Sequence, residues 1–493
     1  MLSRARSVLA LALAQIEFMD VFSWVRPTGR NRVSHRASRE AHFICVALAF
    51  AALLLAPAAG WCAQARNIIV LIGDGMGPSH IWATQLYATR ELGNSLRMVE
   101  LMNSGHTAYL VNDTADALVT ESAAAATQIA CGVRVPARAV GMGSDGKTPC
   151  RTVLEYAKAM GMATGLVTTS RITDATPAAF SAHVEARDDE DAIAAQQLEL
   201  GVDVLLGGGR RFFVPKSAGG SRKDGRNLAD EARSAGYALP GTAAELTRIA
   251  GGKILGLFNL GNMAFDIDRS ATEQPSLAEM AATALAALAQ NSRGMFIMIE
   301  GGRIDHAAHA NDSFALIRDV LAFDAAVGVA LAFQQRNPDT LVIVTADHET
   351  GGMALTGIAR GASINLAALR NARSSLENLL AELGEKPAPA TIRAAVNTHL
   401  ALAISESEAQ AIAGDLSRNN AALTYIPTPR SLVTILQRHL GIGWATQGHT
   451  ASPVFAFGTG PGSEGIAGFR HNTELFRIMR ESLLRLPVSA PPK

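Results

Sequence analysis

A cluster of acidic residues and histidines near residue 300 is the strongest chemical signal in the sequence. Glu300 ends an apolar run, and Asp305, His306 and His309 follow it closely. Asp305 and His309 stand four positions apart, which on a helix places both side chains on one face, where they can bind the same metal ion. The spacing therefore predicts a metal site with carboxylate and imidazole ligands.

Three more ligand candidates stand at or near the ends of other apolar runs. Asp347 and His348 end the run that begins at Leu341, and Asp74 follows a similar run in a glycine-rich turn. Asp74 alone fits a turn or a helix cap equally well. His449 alone is a weak candidate, since a single histidine is more often structural. We assign that structural role to His80, His399, His439 and His471.

A serine and an arginine could bind or attack a phosphoryl group. Ser122 begins an alanine-rich run typical of a helix start, where the free N–H groups favour an alkoxide or a phosphate, although a serine there is usually only a cap. The planar guanidinium of Arg187 matches phosphate oxygens, but such an arginine is often a solvated surface charge. Asp174 and Thr176, just before Pro177, fit turn and cap positions equally well. Together, these residues and the ligand candidates suit two nitrogen- and oxygen-rich metal sites and one oxygen-only site.

The elements that must position these residues alternate between two types. Short apolar runs predict strands at Asn67–Ile72, Gly165–Thr169, Asp203–Leu206, Met295–Ile299, Leu341–Thr345 and Pro453–Phe457. Longer stretches such as Leu277–Leu288 and Phe314–Phe333 have helical spacing. The alternation predicts a parallel sheet covered by helices, with a ligand crevice at the strand ends, where the candidate residues lie.

Two regions depart from this alternation. Residues 210–250 are rich in glycine and polar residues and are predicted to leave the sheet. Residues 360–440 are predicted to form a helical insertion, with helices over Asn365–Leu383 and Thr391–Leu416.

Residues 1–65 are predicted to be a leader. Arginines precede an apolar run from Phe43 to Ala56, and Ala63, Gln64 and Ala65 form an A-x-A cleavage site. The run is too short for a comfortable membrane span, so we expect cleavage before Arg66, and a periplasmic or secreted product without a stable membrane anchor. Basic and acidic residues balance at 44 each, which gives no reason to expect nucleic acid as a partner.

Two of the four cysteines follow the predicted leader. In an exported protein, Cys131 and Cys150 are expected to form a disulfide; two free buried thiols are the alternative.

With these residues assembled, the chain resembles the alkaline phosphatase family from Asn67 to about Asn472. The resemblance implies a doubly wound α/β fold, mostly parallel and sandwiched by helices, and usually a homodimer. It also implies hydrolysis of phosphate monoesters through a phosphoserine, with two zinc ions and one magnesium ion per chain.

The resemblance assigns ligands to each ion. By the resemblance, one zinc ion is expected to be bound by Asp305, His309 and His449. The second zinc ion is expected to be bound by Asp347 and His348, with Asp74 bridging. The magnesium ion is expected to be bound by Asp74, Thr176 and Glu300.

The resemblance also assigns roles around the ions, and the chain departs from the family pattern there. Ser122 corresponds to the nucleophile, Arg187 to the phosphate clamp, and Asp174 to a support for the water shell of magnesium. Glu121 replaces the aspartate of many members. His306 matches animal-type members, whereas Asp174 does not, so the third metal site combines features of two subgroups.

Two other classes of function are alternatives. A related sulfatase would need a modifiable residue in a C/S-x-P-x-R context, which Ser122 lacks. A related phosphodiesterase needs neither the magnesium ligands nor Arg187. A non-catalytic phosphate- or metal-binding export protein is the alternative from a different class.

Overall fold

The computed structural model describes residues 65–356, 364–418 and 428–484, so the predicted leader lies outside it except for Ala65. Its strands are β1 (Asn67–Gly73), β2 (His106–Val111), β3 (Ala163–Arg171), β4 (Val204–Gly208), β5 (Tyr237–Ala238), β6 (Lys253–Leu257), β7 (Met295–Gly301), β8 (Thr340–Thr345), β9 (Glu349–Thr350), β10 (Met353–Leu355), β11 (Ile442–Trp444), β12 (His449–Thr450), β13 (Val454–Thr459) and β14 (Gly468–His471).

Helices alternate with these strands along the chain. They are α1 (Pro78–Tyr87), α2 (Arg97–Ser104), α3 (Ser122–Cys131), α4 (Val153–Ala159), α5 (Ala175–Ser181), α6 (Glu190–Leu200), α7 (Leu228–Ser234), α8 (Ala243–Leu246), α9 (Asp266–Arg269), α10 (Leu277–Leu288), α11 (Arg303–His309), α12 (Ser313–Arg336), α13 (Leu366–Asn371), α14 (Leu376–Leu383), α15 (Pro389–Leu400), α16 (Glu406–Arg418), α17 (Arg430–Leu440) and α18 (Glu474–Leu483). Among the described helices, none has both the length and the apolar character that crossing a membrane requires.

A single large sheet organises the fold. Its ten strands run in the order β14-β2-β13-β8-β1-β7-β3-β4-β6-β5, and neighbours are parallel except where β13 pairs with β2 and β8. Helix α10 contacts β3, β4 and β7, while α12 contacts β1, β7 and β8. The predicted doubly wound α/β fold is confirmed.

Strand β1 lies between β7 and β8 at the centre of the sheet. Every residue of these three strands is buried, which explains their continuous apolar runs, since a parallel sheet is covered on both faces. The register pairs Gly73 with Gly301 and Ile72 with Thr345. The carboxyl ends of all three strands therefore meet at one edge, where the candidate ligands follow.

The predicted excursion at 210–250 is only partly correct. Tyr237–Ala238 forms β5, which pairs with β6 and ends the large sheet. A strand of two residues is too short for period-two alternation to reveal it.

The two helices predicted within 360–440 are each divided. Ser375 caps a new helix by accepting a hydrogen bond from the backbone N–H of Asn378, which separates α13 from α14. Ala401 adopts a left-handed backbone with φ of 52°, which ends α15 before α16 begins. We call residues 364–418 and 428–440 the helical segment.

Cys131 and Cys150 form a disulfide between the end of α3 and the residues before α4. Replacing both by alanine is expected to lower the free energy of unfolding by about 3 kcal/mol, because the cross-link restricts the unfolded chain. Denaturant unfolding of the double variant and of reduced wild type measures the loss. Equal stability of oxidised wild type and double variant would contradict the prediction.

Candidate active site

Three predicted ligands converge at the end of α11. His309 Nε2 lies 3.0 Å from His449 Nε2 and 3.2 Å from Asp305 Oδ2. Each ring donates its Nδ1 proton to a backbone carbonyl, His309 to Gln447 at 2.5 Å and His449 to Thr120 at 2.9 Å. With Nδ1 of each ring engaged, the two Nε2 atoms face each other beside a carboxylate. This donor set suits a cation such as zinc.

A second group of ligands surrounds His348. Its Nε2 lies 3.3 Å from Asp347 Oδ2, 3.7 Å from Asp74 Oδ1 and 3.2 Å from Ser122 Oγ. Ligand atoms of Asp74, Asp305 and His348 also fall within 4.8 Å of one another. The two groups thus meet through Asp305, and the serine hydroxyl lies against the second.

Several oxygens of the predicted metal ligands are buried without a hydrogen-bond partner among the described residues. They are Asp74 Oδ1, Asp347 Oδ2, Glu300 Oε1 and Thr176 Oγ1. Thr168 donates to the other oxygen of Glu300. Buried acceptors normally have partners, and bound cations would supply them here. The residues present therefore fit the metal ions that the sequence predicts.

The buried carboxylates also repel one another. Burial, together with repulsion from nearby carboxylates, raises the pKa of Asp74 well above its usual range. Burial is also the main cause that raises the pKa of Asp347 to about 7 and that of Glu300 to about 8. Ionisation of this cluster at neutral pH is costly unless positive charge is supplied.

The metal-free protein is therefore expected to lose stability as pH rises from about 4, where unfolded carboxyl groups ionise, to about 8. The sign follows because raised pKa values let the folded state bind more protons than the unfolded state in this window. Thermal melts at pH 5.5 and 8.5 measure the loss, and reloading with zinc and magnesium should reduce it. A metal-free protein at least as stable at pH 8.5 would contradict the expectation.

Glu121 connects the nucleophile helix to the predicted phosphate clamp. Its carboxylate accepts hydrogen bonds from the backbone N–H groups of Ala123 at 3.1 Å and Ala124 at 2.8 Å, and so caps the helix that Ser122 begins. The same carboxylate accepts a hydrogen bond from Arg187 Nη1 at 2.7 Å. Arg187 Nη2 donates to Asp174 Oδ1 at 3.0 Å, so two carboxylates fix the guanidinium plane.

Replacing Glu121 by aspartate is expected to change KM and phosphate inhibition by about tenfold or less, near 1.4 kcal/mol. The shorter side chain must shift the hydrogen bond that orients Arg187, while Ser122 keeps its backbone position. Steady-state kinetics and metal analysis measure the effect. Loss of metal from Glu121→Asp would show that Glu121 is itself a ligand.

An open cavity of about 550 Å³ leads to this cluster. Its lining combines the helix start, the clamp and one metal group: Val119, Thr120, Glu121, Arg138, Arg187, Asp188, His309 and His449. A small phosphorylated molecule can therefore reach both Arg187 and the metal ligands.

Sequence reasoning missed three residues that orient the predicted ligands. The hydroxyl of Thr350 donates to Asp305 Oδ1 at 2.6 Å and lies 3.2 Å from His348 Nδ1. Ser170 donates to Asp174 Oδ2 at 2.6 Å, and Asn112 donates to the backbone oxygen of Asp347 at 2.6 Å. Only Thr350 had a signal, its place two residues after His348.

Comparisons with known proteins agree with this geometry. The alkaline phosphatase family model matches residues 65–484. The chain is 34% identical over 431 residues to alkaline phosphatase 4 of Bacillus subtilis, covering 85% of this chain and 89% of that protein. The crystal structure of Thermus thermophilus alkaline phosphatase superposes with a TM-score of 0.78 at 33% identity, covering 86% and 92% of the two chains.

A variant of the alkaline phosphatase from the Antarctic bacterium TAB5, with magnesium bound in its M3 site, superposes with a TM-score of 0.63 at 27% identity. That match covers 85% of this chain and 98% of the other. The chain belongs to the alkaline phosphatase family. It is a metal-binding hydrolase that acts on phosphate monoesters.

Proposed function

We propose that the chain hydrolyses phosphate monoesters with Ser122 as the nucleophile. One observation carries this proposal: Ser122 Oγ lies 3.2 Å from His348 Nε2, at the first residue of a helix that is buried along its whole length. The hydroxyl is thus held among metal ligands, while the helix N-terminus favours negative charge beside it. A serine that served only as a helix cap would have no need to lie among metal ligands.

The metal ligands divide by donor type. Asp305, His309 and His449 would hold one zinc ion, since a mixed nitrogen and oxygen set suits zinc. Asp74, Asp347 and His348 would hold the second. Asp74, Thr176 and Glu300 would hold magnesium, since all three offer oxygen. The ions, when bound, supply positive charge that favours ionisation of the attacking oxygen and neutralises the phosphoryl group.

The chain's own groups carry the phosphoryl transfer. Ser122 Oγ releases its proton to solvent and forms a bond to phosphorus, while the bond from phosphorus to the ester oxygen breaks and that oxygen takes up a proton from solvent, so that the alcohol leaves. Arg187 binds the phosphoryl oxygens with a guanidinium that Glu121 and Asp174 hold in one plane. Water then cleaves the phosphoserine, which releases phosphate and returns a proton to Ser122.

Burst kinetics with 4-nitrophenyl phosphate test this function. We expect a burst of about one equivalent of 4-nitrophenol per chain, because the phosphoserine must be hydrolysed before the next turnover. Bis(4-nitrophenyl) phosphate and 4-nitrophenyl sulfate serve as comparison substrates. Faster turnover of the diester or the sulfate would favour a phosphodiesterase or a sulfatase, and binding without turnover would favour a non-catalytic binding protein.

We also propose that residues 1–65 are a leader removed on export, and that the mature protein, residues 66–493, forms a homodimer in the periplasm or outside the cell. The Cys131–Cys150 disulfide supports an oxidising compartment. Amino-terminal sequencing of the exported protein should begin at Arg66. An intact leader on exported, active protein would refute the cleavage.

A further inference from the structure

Arg138 adopts a backbone conformation that normally requires glycine. Its φ is 71°, in the left-handed region, where a side chain crowds the backbone. The residue also lines the cavity that leads to the candidate active site, together with Arg187 and Asp188. Strained residues cluster at active sites, where the strain serves the function. Arg138 is therefore a candidate for a functional side chain.

Hydrogen bonds hold the backbone of Arg138 on both sides. Its N–H donates to Glu121 Oε1 at 2.8 Å, and its carbonyl oxygen accepts from the backbone N–H of Arg187 at 3.2 Å. The next residue is fixed as well, because Thr127 Oγ1 donates to the carbonyl oxygen of Ala139 at 3.0 Å. All these bonds use backbone atoms of the loop. A glycine would make them without strain, so they do not explain why an arginine stands at position 138.

The guanidinium group of Arg138 pairs with Asp188, the residue that follows Arg187. The side chains of Arg138 and Asp188 are exposed by 53% and 78%. An exposed ion pair is weak because water and salt screen it, so an anion of the substrate can replace Asp188 at little cost. A guanidinium group has several N–H donors, and among the described residues only Asp188 accepts from this one.

The cavity thus contains two guanidinium groups with different surroundings. Arg187 donates to Glu121 and Asp174, which hold its plane for the phosphoryl group. Arg138 is joined to Arg187 through one backbone hydrogen bond and has the exposed ion pair alone. With the phosphoryl group at Arg187, the alcohol part of the substrate occupies the rest of the cavity. A guanidinium group there suits a carboxylate or a phosphate, because its planar donors match their oxygens.

We propose that Arg138 is a specificity-determining residue that binds a second anionic group, a carboxylate or a phosphate, on the alcohol part of the substrate. This inference rests on the proposed function, because it places the reacting phosphoryl group at Arg187. The preferred substrates are then phosphate monoesters whose alcohol carries a further negative charge. Asp188 pairs with Arg138 when no such substrate is bound.

Three phenyl phosphates with different meta substituents test the proposal. The substituent is a methyl ester, a carboxylate or a second phosphate, so the type of reacting bond stays the same while the charge of the alcohol changes. Arg138→Gly removes the guanidinium group and keeps the backbone conformation, since glycine adopts positive φ without strain. For at least one of the two anionic substrates, we expect the variant to lower kcat/KM relative to the methyl ester by about fivefold, mainly through KM, as for loss of an exposed ion pair. The substituent with the larger loss is the group that Arg138 binds.

Two further variants separate anion binding from other effects. Asp188→Asn removes the competing carboxylate, so it should change the same ratio in the opposite direction. Lys147→Ala removes an exposed cation that belongs to the same loop, between Cys131 and Cys150, but does not line the cavity. It should keep the wild-type ratio. Thermal melts should show that Arg138→Gly is at least as stable as Arg138→Ala, because glycine relieves the left-handed strain.

The outcomes distinguish this inference from the proposed function. If Arg138→Gly lowers kcat/KM equally for all three substrates, Arg138 only positions Arg187, and the inference is wrong. Unchanged ratios in Arg138→Gly would also overturn it. If that variant does not fold, the ratio in Asp188→Asn decides. Wild type that hydrolyses none of the three substrates would instead overturn the proposed function.

Discussion

Ser122→Ala is expected to lower kcat/KM for 4-nitrophenyl phosphate by about 10,000-fold or more, the scale of loss seen when other enzymes lose their nucleophile. The physical reason is that the variant lacks the hydroxyl that lies 3.2 Å from His348 Nε2 at the start of α3. The missing oxygen does not ligate a metal in the proposed scheme. Metal content and melting temperature should therefore stay close to those of wild type.

A matched control for this variant is Thr120→Ala. Thr120 is buried, and its hydroxyl donates a hydrogen bond to the backbone oxygen of Glu121 at 3.3 Å. Its backbone oxygen, which accepts from His449, is retained in the variant. We expect a loss smaller than about tenfold, near 1.4 kcal/mol. A large loss in Thr120→Ala together with an active Ser122→Ala would show that the nucleophile was misassigned.

Removal of the metal ions is the second large effect. Chelation is expected to lower kcat/KM by about 1,000-fold or more, since bound ions contribute several kcal/mol of charge stabilisation in the transition state. Zinc should restore most of the activity, and magnesium should raise it further. Dialysis against chelator-free buffer before each assay removes the chelator, so that any remaining loss of activity reports the loss of metal.

A single ligand substitution sharpens this prediction. Asp347→Asn should lose about one zinc ion per chain, because Asp347 is fully buried and one of its oxygens has no donor among the described residues. Asp145→Asn, which changes an exposed loop carboxylate, should retain the wild-type content. Full activity after metal removal, or unchanged zinc in Asp347→Asn, would refute the metal assignment.

The central strands of the sheet could be predicted from the sequence because burial on both faces determines their residue types. Strands β1, β7 and β8 are buried on both faces, so the residues between their ends are apolar. The polar residues that interrupt these runs therefore stand out. That contrast made the predictions at Asp74, Glu300 and Asp347 possible.

The breaks within the helical segment could not be predicted in the same way. Ala401 is a good helix former, yet it adopts a left-handed conformation at the end of α15. Its backbone N–H still bonds to Asn397 O, so the turn is closed without a glycine. Tertiary packing overrides intrinsic preference at such a position.

The candidate site shows a similar division. Metal-ligand types and spacings are visible in sequence, but the groups that orient them come from distant positions. Ser170 and Asn112 have ordinary residue types in ordinary contexts, and only their hydrogen bonds reveal them. Glu121 both caps α3 and accepts a hydrogen bond from Arg187. The residue type at a single position does not indicate two such partners.

Locating the phosphate on the acid-quenched enzyme tests the proposed mechanism most directly. Wild-type protein is mixed with labelled phosphate or a phosphate monoester at mildly acidic pH, quenched in acid, digested and mapped by mass spectrometry. We expect a single phosphorylated residue, Ser122, at close to one equivalent per chain. Phosphate on any other residue, or turnover with no phosphoserine trapped at any quench time, would contradict the mechanism.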